Sequence, residues 1–258
     1  LAMIQKIFLL KSCYRHYGMV LVDFFRLPKV KRNKDKMIVK IPSESIDLFN
    51  NNNGVLGANS ILSVSLAASK VSAVSKNLPL YKCLGSAKTI PLPLMNVING
   101  GAHANNSLRI QEFMIRPDKA KSFKESINIC FLIIQKLKSL MGSKHLSTTV
   151  GDEGGFAPSL SNNEEAIELI LEAINKSGFR AGTDISVCLD VAANELFKDK
   201  KYAVNSSKFI SSDKTIQYYL DLIKKYPIKS IEDPFFEDDW DAWINLTKLL
   251  NKEIQVVG

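Results

Sequence analysis

The sequence has no apolar run long enough to span a membrane. A transmembrane helix needs roughly 18 to 20 consecutive apolar residues, and no stretch of the chain reaches that length. The apolar segment at residues 7–10 is also too short for the core of a secretory signal. Because 46% of the 258 residues are hydrophobic, the chain can nonetheless bury one large core or two modest ones. The composition therefore predicts a soluble globular protein with no membrane span.

Cysteine is scarce and scattered. The four cysteines match no CxxC or zinc-site spacing, and they are Cys13, Cys83, Cys130 and Cys188. Isolated cysteines are typical of proteins in reducing compartments, so we expect free thiols.

A basic surplus is confined to the start of the chain. Residues 1–44 hold ten Lys and Arg against three acidic residues, so the rest of the chain contributes only +1 to the formal charge of +8. The segment KVKRNKDKMIVK at residues 29–40 could contact nucleic acid or an acidic surface. No aromatic platform accompanies it, so we expect a solvated basic arm at residues 1–44, and nucleic-acid binding is the less favoured alternative.

Asp152 and Glu153 stand between glycines in the segment VGDEGGFAP at residues 150–158. Glycine and proline at these positions predict a loop. A carboxyl group in such a loop can serve as a general acid where burial raises its pKa. The alternative interpretation is an Asp/Gly surface turn.

Periodicity predicts four elements before this loop. The patterns indicate a small-residue helix over 58–76, strands over 90–98 and 110–115, and an amphipathic helix over 119–141. Pro91 and Pro93 favour an edge position for the first strand. Glu112 lies inside the apolar second strand, where a charge needs a partner, and His103 lies in the polar loop before it. An edge-strand surface glutamate and an ordinary loop histidine are the alternatives.

Strand and helix patterns alternate after the loop. Asn163 is the predicted N-cap of a helix that ends at Gly178. Strands over 185–189, 228–231 and 254–258 are separated by helices over 213–225 and 238–250, which is typical of a parallel sheet with crossover helices. Asp190 and Glu232 follow successive strands. Carboxylates at adjacent strand ends suit Mg²⁺, although capping of the following turns would explain either one alone.

Seven ordered blocks together resemble the enolase (phosphopyruvate hydratase) family. The resemblance covers residues 54–258 and is far more specific than any single motif. The blocks are GANSILSVSLAASK, PLYKCLG, NVINGGAHANN, IQEFMIRP, VGDEGGFAP, LDVAANELFKDKKY and KKYPIKSIEDPFFEDDW. The resemblance implies an α/β fold. Residues 90–258 would form an incomplete enolase-type (β/α) barrel that has about five of the eight strands and starts with a β-hairpin. It also implies that residues 45–89 are a helical remnant of the α+β N-terminal domain, whereas residues 1–44 have no resemblance to the family.

The same resemblance implies an activity and roles for individual residues. Enolases are glycolytic lyases that use Mg²⁺ to remove water from 2-phosphoglycerate, giving phosphoenolpyruvate, and they act as cytoplasmic homodimers. By similarity, Glu153 is the acid that protonates the leaving hydroxyl, with Glu112 beside it. His103, Gln111 and Glu112 match substrate-contacting positions. Asp190 and Glu232 match two of the three metal carboxylates.

The sequence also departs from the family pattern. Asn194 replaces the usual serine or threonine after the metal aspartate. By the resemblance, the third metal aspartate and the lysine base have no counterpart in these 258 residues. We therefore expect little turnover from this chain alone, with a second enolase chain as the partner that would complete it. The alternative is a non-catalytic remnant that pairs with an intact enolase or binds an acidic partner through the basic arm.

Overall fold

The computed structural model describes residues 31–33, 36–38, 58–85, 89–151, 153–205, 208–250 and 252–258. These residues belong to two units, residues 1–89 and 90–258. The first unit contains the short antiparallel strands β1 (Lys31–Asn33) and β2 (Lys36–Ile38) and the helices α1 (Ala58–Ser75) and α2 (Leu80–Leu84). Apart from β1 and β2, the predicted basic arm lies outside the described residues.

The second unit is built on one five-stranded mixed sheet. Its strand order is β3-β4-β5-β8-β9, with antiparallel pairing from β3 to β5 and parallel pairing from β5 to β9. A separate short hairpin, β6-β7, follows β5. The strands are β3 (Met95–Asn99), β4 (Glu112–Arg116), β5 (Ser186–Asp190), β6 (Phe197–Lys198), β7 (Lys201–Tyr202), β8 (Ile228–Glu232) and β9 (Gln255–Val257).

The predicted strand count and opening hairpin agree with this sheet. The strand predicted from residue 90 begins only at Met95, because Pro91 and Pro93 have no backbone N–H to donate to a neighbouring strand. As predicted, this strand lies at an edge of the sheet. Within the described residues the five strands form an open sheet rather than a closed barrel.

Four long helices accompany this sheet along the chain. They are α3 (Phe123–Ser143), α4 (Asn163–Lys176), α5 (Ser212–Lys225) and α6 (Trp240–Leu250). The cap predicted at Asn163 is wrong by one residue. Asn162 is the N-cap, because its side chain accepts a hydrogen bond from the Glu165 N–H at 2.8 Å. Asn163 is instead the first helical residue, and it is buried.

The hydrophobic core of this unit lies between the sheet and its helices. It extends along the chain from Val97 to Ile254 and includes Phe113, Ile170 and Tyr219, which are fully buried. Burying such side chains contributes roughly 1.5–3 kcal/mol each. No helix in the described part of the chain is long and apolar enough to cross a membrane. Cys130 and Cys188 are buried free thiols, and Cys83 is a partly exposed one.

Candidate active site

Three carboxylates lie side by side where three adjacent strands of the sheet begin or end. Glu112 starts β4, Asp190 ends β5 and Glu232 ends β8. In the strand register Glu112 is opposite Asp190, and Asp190 is opposite Glu232. The two strand-end carboxylates therefore lie together as predicted, and Glu112 joins them because β4 runs antiparallel to β5. Glu112 is not on an edge strand, since β3 and β5 flank its strand.

Burial, with nearby negative charge as a further cause, raises the pKa values of all three groups. Burial, a hydrogen bond with Glu153 and the nearby charges of Asp190, Glu153 and Glu232 raise the pKa of Glu112 to about 7. Burial is the largest cause, and the Glu112 side chain is only 12% exposed. The pKa values of Asp190 and Glu232 are also raised, first by burial, and for Glu232 next by the charge of Asp190. This site therefore favours a bound proton or a bound cation near neutral pH.

His103 lies between two of the predicted site residues. It ends a short 3-10 turn, Gly101–His103. Its Nδ1 is 3.4 Å from Glu112 Oε1, and its Nε2 is 4.0 Å from Glu153 Oε1. One ligand atom from each of these three residues lies within 4.8 Å of the other two. The buried Nδ1 makes no hydrogen bond among the described residues, so its approach to Glu112 at 3.4 Å is a close contact rather than a hydrogen bond.

Glu153 differs from the sequence-based expectation in its exposure. The loop places its carboxyl group beside His103, but its side chain is 57% exposed. The buried carboxyl group with the raised pKa is that of Glu112 instead. Asp152 lies outside the described residues.

Gln111 and the backbone after β5 hold the Asp190 carboxylate. Gln111 Nε2 is 3.5 Å from Asp190 Oδ2, and the Ala192 N–H donates to Asp190 Oδ1 at 3.0 Å. Ala192 has a left-handed conformation with φ of 48°, which follows from the sharp turn at the strand end. A cleft of about 220 Å³ adjoins this turn, and its lining includes Gly101, Arg109, Gln111, Ala192 and Glu195.

The residues present suit a hard divalent cation. Asp190 and Glu232 offer carboxylate oxygens from neighbouring strand ends, which is the ligand type that Mg²⁺ prefers. Burial raises both pKa values first, and the negative charge of Asp233 adds to each; a bound cation would offset both causes. The cluster of His103, Glu112 and Glu153 is a separate donor group.

An asparagine network at this site was missed by the sequence analysis. Asn96, Asn99 and Asn106 make side-chain hydrogen bonds in and around the Glu153 loop. In sequence, asparagine near glycine indicates only a turn or loop. The repeated asparagines of NVINGGAHANN were the one available signal.

Comparison with known proteins identifies the family. Residues 87–258 match the family model described as enolase, C-terminal TIM barrel domain. The chain belongs to the enolase family. Over 205 residues it is 62% identical to the enolase of Pelagibacter ubique (strain HTCC1062), an alignment that covers 79% of this chain and 49% of that protein. The chain thus spans about half the length of the curated enolase that it matches.

Proposed function

We propose that this site serves the Mg²⁺-dependent dehydration of 2-phosphoglycerate to phosphoenolpyruvate. The observation that supports the proposal is the alignment of Glu112, Asp190 and Glu232 on three adjacent strands, beside His103 and Glu153. The chain's membership of the enolase family gives this arrangement its chemical context.

Asp190 and Glu232 are the proposed ligands of the magnesium ion. Both carboxylates lie at the ends of two adjacent parallel strands, opposite each other. When bound, Mg²⁺ would supply positive charge that stabilises the additional negative charge on the substrate carboxylate while a base takes the carbon-bound proton. That base would be the lysine that a completing enolase chain supplies. Gln111 orients Asp190 through its side-chain amide at 3.5 Å, and the Ala192 N–H holds the other carboxylate oxygen.

Glu153 and Glu112 form the proposed acid pair. Loss of hydroxide from carbon requires a proton at the leaving oxygen. The half-exposed Glu153 can reach a substrate, and it shares a hydrogen bond with Glu112. Because the pKa of Glu112 is raised to about 7, this carboxyl group still holds a proton in about half of the molecules at neutral pH. We assign delivery of the proton to Glu153 and retention of a proton in the pair to Glu112.

His103 and Gln111 are proposed to contact the substrate together with Glu112. His103 approaches Glu112 through its Nδ1 at 3.4 Å, and Gln111 is the residue directly before Glu112 in the sequence. A glycolytic role would place the protein in the cytoplasm, with 2-phosphoglycerate as the small-molecule substrate. We propose a second enolase chain as its protein partner, either in a homodimer or as the chain that completes the barrel.

Calorimetric titration of the full chain with Mg²⁺ tests the metal site. We expect Asp190→Asn and Glu232→Gln each to weaken Mg²⁺ binding by at least about tenfold, the effect of losing about 1.4 kcal/mol. Asp241→Asn on the exposed start of α6 is the control, and it should bind Mg²⁺ like the parent. Equal Mg²⁺ affinity in the parent, D190N and E232Q proteins would overturn the assignment.

A second titration adds 2-phosphoglycerate in the presence and absence of Mg²⁺. The proposal requires substrate binding that depends on Mg²⁺ and decreases in His103→Asn. Phosphoenolpyruvate formation is measured on the same samples, where we expect little turnover from this chain alone. Turnover comparable to that of a full-length enolase would contradict that expectation while supporting the proposed reaction.

A further inference from the structure

The loop that carries Glu153 is fastened to the edge strand β3. We define the glutamate loop as Gly151 together with residues 153–158. The Asn99 N–H donates to the Phe156 carbonyl at 2.8 Å, and the Phe156 N–H donates to the Val97 carbonyl at 2.9 Å. Within the loop, the Gly151 N–H donates to the Gly155 carbonyl at 2.8 Å. Phe156 thus pairs with the outer side of β3 through backbone hydrogen bonds, as one residue of a further strand would.

The Asn99 side chain adds a contact at the middle of the loop. Asn99 is fully buried, and its Nδ2 donates to the Gly155 carbonyl at 2.9 Å. Asn96 Nδ2 in turn donates to Asn99 Oδ1, which fixes the orientation of the Asn99 amide. Both ends of the Asn99 amide are therefore used, and one of them holds the glutamate loop.

Asn106 links the loop to β3 and to the segment that carries His103. Its Nδ2 donates to the Asn99 carbonyl and to the Pro158 carbonyl, each at 3.0 Å. Its Oδ1 accepts a hydrogen bond from the Leu108 N–H at 3.2 Å. One partly buried side chain therefore connects three backbone segments around the site.

Glycine at position 151 allows the loop to approach this network closely. A Cβ atom at Gly151 would lie 2.3 Å from Asn99 Nδ2 and 2.7 Å from the His103 carbonyl oxygen. Both distances are shorter than any normal contact, so only glycine fits without a shift. The loop therefore lies directly against the backbone of His103 on one side and against the Asn99 amide on the other.

We infer that Asn99 and Asn106 are positioning residues that hold the glutamate loop so that the Glu153 carboxyl group faces His103. The Glu153 Oε1 to His103 Nε2 distance of 4.0 Å depends on a loop whose carbonyls at Gly155, in its middle, and Pro158, at its end, are both bound by these amides. The catalytic meaning of the inference rests on the proposed function, whereas the positioning itself does not.

Aspartate substitutions test the inference with little change in shape. Asn106→Asp keeps the acceptor for Leu108 but removes both Nδ2 donations, and it places negative charge near two carbonyls. Asn99→Asp likewise keeps the acceptor for Asn96 and removes the donation to Gly155. Asn105→Asp makes the same chemical change at the adjacent, exposed position, so it is the matched control for added charge.

Hydrogen exchange is measured on the full-length chain of each variant. In N106D and N99D we expect the amides of Gly151 and Phe156 to exchange at least about tenfold faster, equivalent to 1.4 kcal/mol of lost protection. Amides of β5 and β8 should keep the parent's rates, and N105D should match the parent throughout. Unchanged exchange at Gly151 and Phe156 would overturn the inference. Should N99D fail to fold, N106D decides alone, because Asn106 is only partly buried.

A spectroscopic measurement separates positioning of Glu153 from simple loop anchoring. In the parent, Glu153→Gln should change the ¹⁵N shifts of the His103 imidazole, because the two side chains are neighbours. In the N106D background the same substitution should change them by less than half as much. An equal response in both backgrounds would contradict the inference. Neither measurement requires Mg²⁺, substrate or turnover, so failure of the proposed function would leave both results interpretable.

Discussion

Among the carboxyl groups of the candidate site, Glu112 has the largest pKa shift. Its strand lies between β3 and β5, so its carboxyl group is mostly buried and faces Asp190, Glu232 and Glu153. A carboxyl pKa raised from 4.5 to about 7 means that the folded protein binds this proton more tightly than the unfolded chain. The free energy of unfolding therefore falls as the pH rises from about 4.5 to about 7. Above that range, the folded protein keeps the full loss of stability that comes from ionising Glu112.

Glu112→Gln should remove this cost. We expect the variant to have a higher free energy of unfolding than the parent at pH 8, by about 2–3 kcal/mol, because the neutral amide needs no proton. The difference should disappear near pH 4, where Glu112 is protonated in both states. Urea denaturation at pH 4, 6 and 8 measures it. A difference that does not vary with pH would show that the Glu112 carboxyl group is not the cause.

Glu168→Gln provides a comparison of opposite sign. Hydrogen bonds from the Tyr226 hydroxyl and from Lys225 lower the pKa of Glu168, so its carboxylate stabilises the fold at neutral pH and this contribution is lost as the pH falls through its folded pKa. Its substitution should reduce stability at neutral pH, by a small amount because the side chain is exposed. The two glutamine variants should thus shift the same denaturation curves in opposite directions.

At the level of single elements, two neighbouring asparagines at the start of α4 have different structural roles. Asn162 caps the helix from outside. Asn163 is buried, accepts hydrogen bonds from the backbone N–H groups of Arg109 and Ile110, and donates to the Val204 carbonyl and the Tyr218 hydroxyl. The helix start is therefore also a junction between the segment before β4 and the residues after β7.

Asn163→Ala should destabilise the protein far more than Asn162→Ala. Loss of a helix cap costs about 1 kcal/mol, whereas truncation of Asn163 leaves several buried groups without partners, at about 1–3 kcal/mol for each such group. We expect a total of about 3 kcal/mol or more for N163A, measured by urea denaturation of both variants. Equal losses would mean that the buried hydrogen bonds contribute little.

The same junction shows what sequence patterns can and cannot predict. The alternation of strands and helices, the hairpin and the carboxylates at the ends of β5 and β8 follow from periodicity and turn residues, which are local properties. Local sequence cannot show which of Asn162 and Asn163 is the N-cap, because asparagine suits that position in either case. The outcome depends on the hydrogen-bond partners of Asn163, which are distant in sequence. The roles of Asn99 and Asn106 are hidden for the same reason.

Burial of individual carboxyl groups was likewise not predictable from local sequence. Glu153 stands in a loop rich in glycine, a pattern that is compatible with a buried acid or an exposed turn. The structure leaves it half exposed and buries Glu112, because β5 pairs with the strand that Glu112 begins. Long-range pairing between strands, rather than the residue's own neighbours in sequence, sets the pKa.

At the scale of the whole molecule, the larger core belongs to one unit. The residues of the main hydrophobic cluster extend from Val97 to Ile254, all within the unit of residues 90–258. We expect a chain of residues 90–258 to fold alone and to keep the pH-dependent effect of Glu112→Gln. Circular dichroism and urea denaturation of this shorter chain measure both. Loss of cooperative unfolding would show that residues 1–89 are needed for the core.

The sheet of this unit also has two edges, at β3 and β9, where the described strands pair on one side only. The outer edge of β3 is partly occupied by the glutamate loop, through Phe156. β9 has no such cover among the described residues, and an uncovered edge strand offers backbone groups to another chain. Self-association at high concentration should therefore involve β9.

Gln255→Lys at the exposed first position of β9 tests this expectation. A charged lysine on an edge strand opposes pairing with a second copy, so we expect the concentration at which the protein self-associates to rise about threefold or more, equivalent to about 0.6 kcal/mol. Gln135→Lys makes the same change at an exposed position of α3 and should leave association unchanged, because no backbone group is free there. Sedimentation velocity over a range of concentrations measures both variants. If Q135K and Q255K reduce association equally, added positive charge rather than the β9 edge is responsible.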